Sequence, residues 1–146
     1  MKNNKNNIIW FFGLLLVVGL LVFFPNQEKE PIAFMDAMNQ EYPDKPTYQR
    51  MVVVDSTGPE ENAIEVTEPA VISHLLETGE PMTMIPSVDL PKADYRIELY
   101  LQEEDYIGHV ITIGEKNNAI LIEGTAYNIV SENPLLEEMK KMLNEN

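Results

Sequence analysis

The chain of 146 residues contains no cysteine, only two histidines, and 10 basic against 24 acidic side chains. The absence of cysteine excludes a disulfide framework, a thiolate metal site and a thiol nucleophile. The shortage of bases gives a net charge of −14, and a surface this acidic repels phosphate backbones. The length allows one modest domain with accessory segments. These limits argue against a nucleic-acid-binding protein and against a two-domain enzyme.

An apolar run near the N-terminus is the strongest single signal in the sequence. It extends from Ile8 to Phe24 without an ionisable side chain, carries Trp10 near one end, and is followed by Pro25. As a helix it would be about 25 Å long, close to the thickness of a bilayer core. A cleaved signal peptide is the alternative, but no small-residue cleavage site follows the run. We expect an uncleaved single-pass membrane anchor with the limits Ile8 and Phe24.

The distribution of basic residues around this run predicts its orientation. Lys2 and Lys5 precede the run, whereas Lys29 after it lies between two glutamates. Basic residues stay on the cytoplasmic side, so the protein is expected in the cell membrane with its N-terminus inside. The chain then divides into a cytoplasmic stub (1–7), the anchor (8–24), a spacer (25–47) and an extracytoplasmic α+β domain (48–146).

The predicted spacer contains four prolines, and Pro43 and Pro46 disfavour a helix at its end. Before them, Ile32, Phe34, Met35 and Met38 fit a short amphipathic turn or two. This turn would rest either on the membrane or on the domain.

Beyond residue 47, short apolar runs predict strands over 51–54 and 119–122, and alternating patterns predict strands over 64–66, 95–101, 107–113 and 125–130. Glu123-Gly124 fits a tight hairpin turn between the last two. Met82, Met84 and Ile85 lie among prolines and fit an edge strand.

Two amphipathic helices complete the predicted domain. The first has Thr67 as N-cap, Gly79 at its end, and an apolar face formed by Val71, Ile72, Leu75 and Leu76. The second has Ser131 as N-cap, Pro134 in its first turn, and an apolar face formed by Leu135, Leu136, Met139, Met142 and Leu143. The pattern predicts an α+β fold, with a small, mostly antiparallel sheet and two helices on one of its faces.

This order of elements resembles a known family. A strand running into a helix at 64–68, the strand Tyr95-x-Ile97-x-Leu99, and the segment 127–131 before a closing helix resemble the YhfM-like extracytoplasmic domain of Firmicute envelope lipoproteins. The resemblance covers about 64–143 and implies a domain on the outer side of a Gram-positive membrane. It supplies no activity and no site residues. Those lipoproteins carry a lipobox cysteine, which this chain lacks.

A search for catalytic motifs finds no nucleotide-binding glycine pattern, no zinc-protease motif and no serine-hydrolase motif. His74 lies off the apolar face of its helix and is expected in solvent. His109 shares a strand face with isoleucines, so we expect a partly buried side chain at a sheet edge, or a bulge at Gly108 that turns it outward. The acidic run 103–105 is the nearest source of carboxylates, but it fits a solvated hairpin tip. The segment 55–62 is rich in oxygen ligands, but its glycine is misplaced for a calcium loop.

These observations leave two main functional hypotheses and a third, plainer one. We expect a membrane-anchored binding or regulatory module that meets a protein partner through a sheet edge or an acidic face, without cofactor or metal. The alternative is a small hydrolase or metal-dependent enzyme that uses His109 with nearby carboxylates. A structural subunit of a membrane assembly is the third. The methionines at 35, 38, 82, 84, 139 and 142 fit a core better than an adaptable binding surface.

Overall fold

The structure is a computed structural model that describes residues 29–44, 46–101 and 107–145. In these ranges, eight strands form one antiparallel sheet and three helices accompany it, which confirms the α+β class. The predicted anchor and cytoplasmic stub lie outside the described residues. Within the described part of the chain, no helix is long and apolar enough to cross a membrane.

The sheet is a meander with two strands added at each side. Its strands are β1 (Ile32–Ala33), β2 (Tyr48–Asp55), β3 (Asn62–Val66), β4 (Thr83–Pro86), β5 (Tyr95–Leu101), β6 (Ile107–Gly114), β7 (Ala119–Ile122) and β8 (Thr125–Ile129), and its helices are α1 (Phe34–Glu41), α2 (Pro69–Thr78) and α3 (Pro134–Glu145). The spatial order is β1-β4-β8-β7-β6-β5-β2-β3. The predicted run of β5 to β8 therefore forms the centre, and β1 and β3 are the edges.

Alternation along the strands places one face of the sheet in the core. Val53, Ile97, Ile111 and Ile122 are paired in a row across four strands, and all four are fully buried. Apolar residues of α2 and α3 join the same core, including Leu75, Leu135 and Met139. The opposite face of the sheet carries polar residues and ion pairs, as expected for an antiparallel sheet covered on one side.

The segment predicted as a spacer contains two elements of the domain. In α1, Phe34 and Ala37 are fully buried and Met38 is 6% exposed. The backbone N–H of Phe34 donates to the carbonyl of Met82 at 3.1 Å, and β1 pairs with β4. The domain therefore begins at or before Ile32, and the predicted boundary at residue 47 is wrong. The predicted amphipathic turn therefore packs on the domain. The predicted edge strand β4 is not at the edge, because it pairs with β1 on one side and with β8 on the other.

The helix starts differ from the predicted ones by one or two residues. Glu68, one residue after Thr67, is the N-cap of α2, and it makes no side-chain cap hydrogen bond. At α3, the Asn133 carboxamide oxygen accepts from the backbone N–H of Leu136 at 3.1 Å. Asn133 therefore caps α3 in place of Ser131.

The hairpin between β7 and β8 confirms the turn predicted at Glu123-Gly124. Both residues have positive φ, 45° and 89°. Two consecutive residues with positive φ are typical of the type I′ turn, whose twist matches that of antiparallel strands.

Candidate binding site

His109 lies on the core face of β6, as the strand alternation predicts. It pairs with Leu99, while Tyr100 pairs with Ile107, so Gly108 is an extra residue in β6. The predicted bulge at Gly108 is present, but it does not turn His109 outward. β6 lies between β5 and β7, so His109 is not on an edge strand. Pairing with β7 begins at Ile111, so His109 itself is paired with β5 and lies beyond the end of β7. The side chain is half-buried.

Two tyrosines, Tyr42 and Tyr48, contact the His109 ring. The Tyr42 ring stacks on it with centroids 3.5 Å apart and an interplanar angle of 27°. The Tyr48 ring meets it edge-on, and the Tyr48 hydroxyl lies 2.9 Å from His109 Nδ1. Tyr42 is the residue directly after α1, and Tyr48 is the first residue of β2. The position of α1 on the sheet therefore builds this aromatic cluster.

Burial determines the protonation of the cluster. It lowers the pKa of His109, and the nearby Glu123 carboxylate opposes this effect only in part. Burial and then Glu123 raise the pKa of Tyr48. The Tyr48 hydroxyl thus keeps its proton and the imidazole favours its neutral form, and the hydroxyl oxygen and Nδ1 share a hydrogen bond whose donor is set by the tautomer of the ring.

The Tyr42 hydroxyl is a buried polar group whose hydrogen bonding is unusual. Among the described residues it has no hydrogen-bond partner of standard geometry. The Glu123 carboxylate lies near it outside that geometry, and it adds to the burial that raises the pKa of Tyr42. Glu123 is itself held in place, because its carboxylate accepts from the backbone N–H of Val110 at 3.0 Å.

An apolar depression opens next to this cluster. It has a volume of about 220 Å³ and is bounded by α1, the segment after it, and α2. We call it the α1–α2 groove and define it by Met35, Met38, Tyr42, Pro46, Tyr48 and Leu76. Two further depressions continue it. One of about 270 Å³ extends along α2 to Glu77. Another, of about 240 Å³, extends towards His109.

The residues predicted as candidates for chemistry do not meet at His109. His74 is exposed on α2, as expected, and has no contact with His109 among the described residues. The acidic run 103–105 lies outside the described residues. Asp55 accepts from the backbone N–H and hydroxyl of Thr57 and so orders its own turn. In the ranges that the structure describes, no three His, Asp or Glu side chains are placed to hold a metal ion.

The open face of the sheet and its edges are the other surfaces predicted for a partner. On the open face, Arg50 pairs with Glu65 at 3.2 Å, and Arg96 pairs with Glu98 at 2.7 Å. These acids already have basic partners within the chain. The edge strand β3 is short, and its residues are mostly exposed.

Comparisons with known proteins give no relative for this chain: no family model, no curated protein and no solved structure matches it.

Sequence reasoning missed Tyr42, Tyr48 and Glu123 as parts of a site. Tyr48 and His109 are 61 positions apart in the chain. No periodicity connects residues at that distance, because their contact depends on how β2, β5 and β6 lie side by side. The apolar positions of α1 were the only available signal for the groove, and Met35 and Met38 are the predicted methionines that line it.

Proposed function

We propose that this protein is a membrane-anchored binding module of a bacterial envelope, with its N-terminus in the cytoplasm and its domain outside the membrane. The anchor and orientation rest on the apolar run between Ile8 and Phe24 and on the lysines before it. The binding role rests on the α1–α2 groove. An open, mostly apolar depression with a few polar groups at its rim is the usual form of a ligand site.

The geometry at His109 favours this role over the enzyme alternative. A general base needs a free basic nitrogen within reach of the proton that it removes. At His109, Nδ1 is already hydrogen-bonded to the Tyr48 hydroxyl, and Tyr42 covers one face of the ring. We therefore assign His109 to the wall of the depression next to the groove, where it contacts the two tyrosines.

Site-specific crosslinking in intact cells tests the binding role. Asn39 lines the groove, whereas Gln40, the next residue of α1, is also exposed and does not line it. A photoreactive residue at position 39 should yield one discrete crosslinked species, and the same residue at position 40 should not. The partner must then be identified by mass spectrometry, and the same pair must form from a probe placed on the partner.

Two outcomes would contradict the proposal. Equal crosslinking from both positions would show that α1 meets its surroundings without selectivity. Turnover of a substrate by the full chain, abolished in His109→Gln while the fold is kept, would favour the enzyme alternative.

A further inference from the structure

We propose that the α1–α2 groove binds a basic peptide segment of a partner protein, with an apolar side chain in the groove and a lysine or arginine side chain held at its acidic end by Glu41 and Asp44. This inference rests on the proposed binding role and names the chemistry of the partner. It goes beyond that role because it gives the ligand a positive charge and places that charge beside Glu41 and Asp44.

The first support is that an apolar depression lies directly beside an acidic one. The α1–α2 groove and the depression at His109 share Tyr42 and Pro46 as common walls. The groove itself is lined by methionine, leucine and tyrosine, with Asn39 as its one amide side chain. The depression at His109 is lined by Glu41 and Asp44. A ligand that fills both must be apolar at one end and cationic at the other.

The second support is that no described lysine or arginine forms an ion pair with the carboxylates around the groove. Among the described residues, neither Glu41 nor Asp44 forms an ion pair, and Glu41 accepts only a neutral hydrogen bond, from Thr125 at 3.0 Å. No described lysine or arginine lines any of the three depressions. The ion pairs within the described ranges lie elsewhere, in the β2–β3–β5 region and near Asp94 and α3.

The third support is the presence of tyrosine rings in the wall of the groove. Tyrosine faces attract ammonium and guanidinium groups through the ring quadrupole. Elsewhere in this protein such a contact already forms, because the Arg50 guanidinium lies 3.6 Å from the centroid of the Tyr100 ring. Tyr42 is only 7% exposed and has one ring face on His109, whereas Tyr48 is half-buried and lines the groove, so the Tyr48 ring is the one that can meet a cation from outside the chain.

The negative charge of the side chains around the groove favours a basic peptide over other ligands that could fill an apolar groove. An anionic lipid headgroup or an acidic peptide would be repelled by Glu41, Asp44 and Glu77, which line the groove's two extensions. A second copy of this chain would bring its own net charge of −14. The basic peptide is the occupant that complements both the apolar wall and the acidic end.

Methionine-methyl NMR on the full chain in detergent micelles tests the inference with a defined probe. The probe is acetyl-Leu-Gly-Lys-amide, and its matched control carries norleucine in place of lysine. The lysine peptide should cause saturable shifts of the Met35 and Met38 methyl signals and leave the signal of Met139, a fully buried residue of α3, unchanged. The norleucine peptide should bind several-fold more weakly.

A pair of charge variants locates the cation. Asp44 and Asp36 are both exposed acids in or next to α1, but of the two only Asp44 lines one of the three depressions. Asp44→Asn should weaken binding of the lysine peptide about threefold, as expected for one solvent-accessible ion pair. Asp36→Asn removes the same charge and should have no effect beyond the error of the titration.

Three results of the peptide titrations would overturn the inference. They are equal binding of the two peptides, equal loss in the two variants, or no saturable shift of Met35 and Met38. Shifts of these methyl groups on dilution of the protein alone would assign the groove to a second copy and also overturn it. A discrete crosslink from position 39 together with any of these results would leave the proposed binding role standing and refute only the basic character of the ligand.

Discussion

His109 shows how much the position of one side chain depends on its neighbours. The alternation of β6 places it on the core face. Tyr42 and Tyr48 allow an imidazole there, because the Tyr42 ring stacks on it and the Tyr48 hydroxyl is hydrogen-bonded to Nδ1. Burial favours the neutral ring, and this preference couples the folding of the domain to pH.

Replacing His109 by glutamine should remove part of the pH dependence of stability. The pKa of His109 in the folded state is below its ordinary value of 6.5. As the pH falls below that value, the unfolded chain takes up the proton more readily than the folded one, so the free energy of unfolding decreases. The difference in slope between the two proteins cannot exceed about 1.4 kcal/mol per pH unit. Denaturant titrations at pH 7.5 and pH 5.5 measure it. Parallel curves for the two proteins would contradict the assignment.

Gly79 ends α2 for a reason of packing and not of backbone conformation. Its φ is −75°, which any residue adopts, but a β-carbon there would lie 2.5 Å from Cδ1 of Phe34. The sequence predicts glycine at this helix end because of left-handed geometry. The structure shows that the Phe34 ring occupies the space of the missing side chain.

Gly79→Ala should therefore destabilise the domain, although alanine is the better helix former. We expect a loss of about 1–3 kcal/mol in the free energy of unfolding, as for other overpacked sites. Gly58→Ala is the control, because its nearest neighbour would be 3.5 Å away, and it should change stability by less than about 0.5 kcal/mol. If Gly79→Ala is neutral, Phe34 does not pack against this helix end.

At the scale of elements, α1 decides where the domain begins. Phe34, Ala37 and Met38 enter the same core as the central strands. Without them, the sheet would expose the apolar surface that α1 now covers.

A fragment that starts at Lys29 should unfold cooperatively, whereas one that starts at Thr47 should not. In the full chain, Phe34→Ala should cost about 3–5 kcal/mol, the usual cost of truncating a buried phenylalanine. Thermal unfolding followed by near-ultraviolet circular dichroism measures both. A fragment from Thr47 as stable as the longer one would show that α1 contributes nothing to the core.

The elements that the sequence predicts well are those with local signals. The alternation in β5 and β6, the turn between β7 and β8, and the apolar face of α3 each lie within a short stretch of chain. Other features depend on distant contacts. The pairing of β1 with β4 joins strands about 50 positions apart through only two register pairs. Likewise, α1 is short and flanked by prolines, so its apolar residues fit a spacer until the sheet that they cover is known.

At the scale of the whole molecule, the distance between the predicted anchor and the domain is short. The apolar run ends at Phe24, and the described domain already includes Ile32. Seven residues lie between them, which span at most about 25 Å when fully extended. If the run is an anchor, the domain stays close to the membrane surface.

Labelling of single cysteines should place the domain outside the membrane. The chain has no cysteine of its own. Glu60 is an exposed position in the turn between β2 and β3, so Glu60→Cys should react with an impermeant maleimide in intact cells, and Asn4→Cys should react only after lysis. The reverse pattern would show the opposite topology. A mature protein that begins after residue 25 would identify the run as a cleaved signal peptide.

Hydrogen exchange over α1 in the full chain tests the central claim most directly, because the groove exists only if α1 is packed on the sheet. Mass spectrometry should find the amides of residues 37–42 protected to a degree comparable with those of β5, since the helix amides are hydrogen-bonded and their side chains enter the same core. Exchange of this segment at the rate of an unstructured peptide, with β5 still protected, would contradict the claim and return residues 25–47 to the role of a spacer.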